Sequence, residues 1–384
     1  MTIDKSQIKY PLLPYSQLVW EMTRWMPMVY RFPVVFRWKG GAKEKDRIEQ
    51  AIRRALENHP VFASRVDWRG RQYAAELKDI FCGQFHGVDC YTRMDDLYIR
   101  TWGSRILGDG KSGEILLEDI TRAYYGLPLE PDDYWEYVAR YEQQKSDPHY
   151  AGSQAWLIKE FSNESVPVRP TMDRKHLFTI LPPKAGLYED DYTLQHEKIE
   201  RLKEEQCISY DGIFSLCTAL AIAEYCGTDS AALTWAYEGR ETEDEQRIFG
   251  SLHRDIPFQI NHKSPITNHK SDLIREARNQ IRTGIAHSDY PYTLTAPFTK
   301  RWNYAVNVLR AADTEDLLHG ISLPITIESV PPQKYAYALL DVEIHEHTDD
   351  LSLWFRYSAT HYKPESIRRF AALVRKYVEW LLES

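Results

Sequence analysis

The stretch IFSLCTALAIAEYCG, residues 213–227, constrains the fold more than any other part of the chain. It is apolar on every helical face, and a helix of that kind has to be buried. It is too short to cross a bilayer, which takes about 20 residues. It therefore reads as a core helix, ended by Gly227.

Around that helix, helical and strand-like patterns alternate along all 384 residues. In the first half, Ile48, Ala51, Ile52, Ala55 and Leu56 recur at helical spacing within EKDRIEQAIRRALENHP, which Pro60 stops. FPVVFRWKG, VFASRVDW, RQYAAEL and DLYIRTW read as strands. Ser112 is the expected cap of the helix GEILLEDITRAYYG, and PDDYWEYVARYEQQ reads as a further helix. In the second half, KHLFTIL, AALTWAYEGR, YALLDVEIHEH and LSLWFRYSA read as strands, the last two as a pair. TLQHEKIERLKEEQ and SDLIREARNQIR read as helices, and so does the closing segment, where Ile367, Phe370, Val374, Tyr377 and Leu381 share a face behind Pro364. Such alternation indicates two α/β units. The polar stretch SNESVPVRP, residues 162–170, is the expected boundary, giving domains 1–165 and 166–384.

Charge narrows the functional classes. The formal net charge is −8 and no basic tract occurs, which excludes nucleic acid as an expected partner. The same acidity disfavours docking an acidic protein unless a local basic patch offsets it. The five cysteines are odd in number and show no CxxC spacing, so they read as free thiols of a reducing compartment, with Cys207 assigned to the core. No apolar leader and no run of 18 apolar residues is present, so no membrane is expected and the protein reads as cytoplasmic.

Chemistry concentrates in LYIRTWGSRILGDGKSGEILLEDI, residues 97–120, a strand, a tight SRILGDG loop and a helix. A second DG pair, in QCISYDG at 206–212, opens the core helix, where Ser209 is a natural N-cap, and is set aside.

Taken in order, these segments resemble the condensation domains of nonribosomal peptide synthetases, in the chloramphenicol-acetyltransferase-like superfamily. YPLLPYSQLVW is similar to the opening segment of that family, with Gln17 and Trp20 at its polar and aromatic places. NHPVFASRV is similar to its second motif, with Asn58 and Ala63 where the family has arginines. SRILGDG resembles the HHxxxDG signature but carries Ser104 and Arg105 in place of the two histidines, while Asp109 and Gly110 are retained. DDYWEYVARYEQ, YEGR, IFGSLHRDIPFQI and HSDYPY match later segments in the right order. The resemblance implies an α/β fold of two chloramphenicol-acetyltransferase-like lobes, arranged as a V-shaped pseudo-dimer with a central tunnel lined in part by Trp102 and Ser112. It implies that phosphopantetheine arms of carrier proteins, or CoA, bring acyl thioesters to the motif. It also implies that Asp109 is structural and pairs with Arg240 of the other lobe.

The two replacements change what the motif can do. Imidazole takes a proton near neutrality, whereas a guanidinium stays charged and only donates. Arg105 is therefore no base. It can bind a carboxylate or phosphate, donate to a developing oxyanion, or plug the passage by pairing with an internal carboxylate. Ser104 is a nucleophile only if a base stands beside it; otherwise it fills a tight turn. His287 is the candidate base from the other lobe. His345 and His347 share one side of a strand, as metal ligands do, but read as an exposed polar edge, so no metal site is assigned. Two functions compete on these residues. One is acyl transfer from a carrier- or CoA-bound thioester to an amine or alcohol with altered chemistry, carried by positioning alone. The other is a condensation-fold module without catalysis that recruits a carrier protein or tailoring enzyme. Either way, the expected partners are a peptidyl or acyl carrier protein acting in trans and a synthetase module or tailoring enzyme, with no bound cofactor.

Overall fold

A computed structural model describes residues 9–23, 31–174, 183–191, 193–261, 270–292, 305–311, 322–330, 333–347 and 350–383. The segment KHLFTIL, residues 175–181, lies outside them. The chain packs as two compact units that a single cut cannot separate. The first comprises Met1–Ser146, Glu238–His253 and Ala312–Gln333; the second comprises Asp147–Tyr237, Arg254–Ala311 and Lys334–Ser384. The boundary expected at 165 thus falls earlier, because helix Pro148–Phe161 packs Leu157 and Phe161 against Val166, Val168 and Tyr292 of the second unit. Two later segments are also counted with the first unit.

The first unit is built on a four-stranded antiparallel sheet in the order Ile325–Ser329, Arg31–Trp38, Asp96–Ser104, His86–Arg93. Strand alternation turns Leu97, Ile99 and Cys90 inward, onto Ile48, Ile52 and Leu56 of helix Lys45–Asn58. The predicted helical stripe is the face that is buried. A smaller sheet joins Tyr10–Pro11, Arg71–Ala74 and Ser64–Val66. Tyr134 anchors the core between them, its hydroxyl donating to Gln72 at 2.6 Å.

A seven-stranded sheet forms the second unit, running Arg254–Asn261, Ser230–Tyr237, Asn307–Ala311, Leu340–Glu346, Asp350–Ser358 and Ala185–Glu189, with Leu194–Gln195 beside Asp350–Ser358. The core helix spans Tyr210–Cys226 and is buried from Tyr210 through Ala223 except at Asp211. Ser209 caps it by accepting from the Gly212 N–H at 3.2 Å, and Gly227 ends it in the left-handed region at φ 66°. Helices Lys270–Ala286 and Pro364–Leu382 pack against it, the latter through the five predicted stripe residues. No single described helix is long and apolar enough to cross a membrane.

Two local readings change. Cys207 is exposed and ends helix His196–Gln206 in the left-handed region, so it is not core. His345 is not on an exposed edge: its strand is internal to the sheet, and its ring stacks on Trp354 at 4.1 Å while bonding Glu343 at 3.2 Å. His347 instead meets the Ser352 hydroxyl at 3.1 Å.

Candidate functional site

The motif strand, Asp96–Ser104, ends at Ser104, and the chain turns at once into helix Gly110–Tyr124. Ser104 is 8% exposed; its N–H bonds the Phe85 carbonyl at 2.9 Å and its carbonyl accepts from Leu107. The Ser104 Oγ accepts weakly from the Ile106 N–H at 3.4 Å. Among the described residues no histidine or carboxylate bonds that hydroxyl. Arg105 points elsewhere. Its Nη1 donates to the Tyr15 hydroxyl at 3.0 Å, and its guanidinium lies 5.0 Å from the centre of the Phe32 ring.

Asp109 serves two purposes. It is the N-cap of the following helix: its Oδ1 accepts from the Ser112 N–H at 3.1 Å, and the Ser112 hydroxyl accepts from the Asp109 N–H at 3.2 Å. Ser112 therefore stands at the third position of a capping box rather than at the cap expected for it. Asp109 also receives both Nη atoms of Arg240, at 2.9 and 3.0 Å, and the N–H groups of Leu252 and His253. The Arg240 side chain is wholly buried and donates further to the Ile248 and Gly250 carbonyls. Gly239, at φ 71°, turns the chain immediately before it, a conformation that favours glycine. Burial alone would raise the Asp109 carboxyl, but the charge and hydrogen bonds of Arg240 overcome it and hold the carboxyl below its ordinary range. The expected partnership is present, with one correction: Arg240 belongs to the same compact unit as the motif. Gly110 is exposed at the helix start.

One residue of this site escaped the sequence reading. His253 comes next to the motif through the segment Glu238–His253, its ring 3.8 Å from that of Tyr15 and inclined at 61°. Burial, aided by the charges of Arg105 and Arg240 and opposed by Asp109, pushes its imidazole down to about 4. It stays neutral at physiological pH, and its Nδ1 has no hydrogen-bond partner among the described residues. The only sequence signal was its place four residues after Phe249 in IFGSLHRD, since nothing local marks a histidine that a distant loop will receive.

The other candidates have different neighbours. Trp102 is half-buried on the face of the motif strand opposite Leu97 and Ile99, with the Arg31 guanidinium 4.4 Å from its ring centre. Gly87 on the neighbouring strand leaves room for it. His287 belongs to the second unit; its Nδ1 meets the buried Ser153 hydroxyl at 3.1 Å, and its ring stacks on Trp156 at 4.6 Å. Burial and the neighbouring His149 push it down.

The condensation-domain family model matches residues 106–384, more than half of the chain. The chain belongs to the condensation-domain family. Tyrocidine synthase 3 of Brevibacillus parabrevis is 23% identical over 280 residues, 69% of this chain but 4% of the synthase. The chain spans less than a tenth of the length of the curated relatives it matches. Among solved structures, the epimerization domain from the third module of tyrocidine synthetase B aligns at a TM-score of 0.76 and 15% identity, covering 99% of both chains. The complex of the X-domain and OxyB from teicoplanin biosynthesis aligns at 0.77 and 14%, covering 99% of this chain and 94% of that one. At such identities these structures share the fold, and the function of this member rests on its own site.

Proposed function

We propose that this condensation-family protein acts as a non-catalytic module of nonribosomal peptide or related biosynthesis that binds a carrier protein or tailoring enzyme. One observation carries the reading: both positions of the signature histidines hold groups that are no base, since among the described residues no histidine or carboxylate bonds the Ser104 hydroxyl and Arg105 is a permanent cation bonded to Tyr15. Asp109 is committed to Arg240, and burial pushes the His253 imidazole down to about 4, which makes it a weak base. General base catalysis in a site of this kind is worth roughly 10²–10⁴-fold, and its absence weighs against ordinary condensation. The likeness to an X-domain solved together with OxyB supports a binding role for the same fold.

Acyl transfer by altered chemistry is the second reading. What favours it is Arg105, whose guanidinium can donate to a developing oxyanion or hold a substrate carboxylate while positioning supplies the rate. The deciding experiment mixes the purified protein with acyl-loaded carrier proteins and candidate amines, with mass spectrometry for product and a pull-down for binding. Carrier or tailoring-enzyme capture without product supports the module. Product above the no-protein control that disappears in Arg105→Ala overturns it in favour of transfer.

A further inference from the structure

The small sheet of the first unit carries a surface that the motif site does not use. Strand alternation turns Ser64, Val66 and Gln72 inward, and Arg65, Arg71 and Tyr73 outward. Between the strands, the turn Asp67–Gly70 lifts Trp68 and Arg69 into solvent, and Trp68, at 73% exposure, is the most exposed aromatic among the described residues. The turn is rigid. Asp67 accepts from the N–H groups of Arg69 and Arg71 at 2.9 and 3.0 Å and from Lys9 Nζ at 3.0 Å, which holds its carboxyl below the usual range. Gly70, at φ 75°, seats the turn against the Trp20 ring, where a Cβ would come within 2.9 Å. Lys9, Asp67, Trp68, Arg69 and Arg71 line a cleft of about 370 Å³.

The charge balance of this surface is the reverse of the chain's. Among the residues lining the cleft Asp67 is the single carboxylate and is already matched by Lys9, so the neighbouring Arg65, Arg69 and Arg71 are left in excess. Among the described residues no acidic side chain pairs with any of these three. On a chain of net charge −8, a local excess of cations of this kind is where an acidic protein is both attracted and oriented. The residue types favour a protein over a small anion. An exposed Trp and a half-buried Tyr with flanking Arg are the composition of interface hot spots, and the Arg69 guanidinium already lies 4.6 Å from the Trp68 ring centre.

We propose that this hairpin face is the docking surface for a carboxylate-rich segment of a partner protein, with Trp68 as its apolar anchor and Arg65 and Arg69 as its carboxylate forks. The proposal holds whether or not the motif loop catalyses. The probe is a short fluorescein-labelled peptide of alternating Glu and Leu, titrated by fluorescence anisotropy against the full chain at low and high salt. Circular dichroism on every variant confirms folding, which these exposed positions leave intact. The wild type should bind, with affinity falling as salt rises. Arg65→Glu combined with Arg69→Glu should weaken it at least about tenfold and Trp68→Ala severalfold, whereas Arg54→Glu on an exposed helix face should leave it unchanged. No binding to the wild type, equal binding to the double variant, or displacement of the peptide by equimolar pyrophosphate would each overturn the proposal, the last by assigning the face to a phosphate ligand.

Discussion

Replacing Arg240 with Met tests the account of the motif most directly. The methionine keeps much of the apolar stem but removes six donated hydrogen bonds, two to Asp109, one each to the Glu238, Ile248 and Gly250 carbonyls, and one to the Ser112 hydroxyl. Asp109 is then a carboxylate that is buried but for 7% of its side chain and has lost its counter-charge. Breaking a buried pair from one side costs about 3–5 kcal/mol, more than the pair contributes net, because the remaining charge is uncompensated. The Ser112, Leu252 and His253 N–H groups still bond Asp109, which places the expected loss near the lower end. For a cooperative unit of about 150–250 residues, each kcal/mol lowers the midpoint by roughly 2–4 °C, so the variant should melt about 6–12 °C below the wild type. Differential scanning calorimetry measures this directly. Asp109→Asn and the double variant complete a cycle whose coupling should reach about 1–3 kcal/mol. A midpoint for Arg240→Met within about 2 °C of wild type, or additive single effects, would refute the reasoning.

Two further outcomes follow from the same region. Because His253 titrates lower in the folded protein than unfolded, the unfolded state binds more protons. Stability is therefore full above pH ~6.5 and falls as pH drops toward about 4, by on the order of 3 kcal/mol. Asp109 loses its contribution only at still lower pH, so urea melts of wild type and His253→Phe at pH 7, 5.5 and 4 isolate the histidine, and equal slopes for both would reject the assignment. Gly87→Ala would put a Cβ 2.2 Å from Trp102 Nε1, forcing the indole off the strand; a changed tryptophan emission and a loss of about 1–3 kcal/mol are expected, and an unaltered spectrum would contradict the packing described.

How legible the site was depended on how local its physics is. The SRILGDG loop was readable because a strand, a turn and a capped helix follow one another along the chain. Even there the sequence favoured Ser112 as the cap, since serine at a helix start is a good cap in isolation. Asp109 takes the position because it is also drawn to Arg240, a contact 131 residues away. The compact units part before 165 for a similar reason: a polar stretch marks an exposed connection, but burial of Leu157 and Phe161 decides which core the preceding helix joins. His345 shows the opposite failure, because period-2 spacing gives the shared side of a strand and says nothing about whether that strand is internal.

The core helix, the alternation of helices and strands, the family likeness and the loss of both imidazoles from the motif were legible along the chain, because each is written in neighbouring residues at fixed spacing. That Arg105 bonds Tyr15, that Arg240 shares a unit with Asp109, and that His253 lies beside them as a neutral ring came only with the fold. Those facts depend on which distant segments burial brings together, and the low effective dielectric there sets each group's charge.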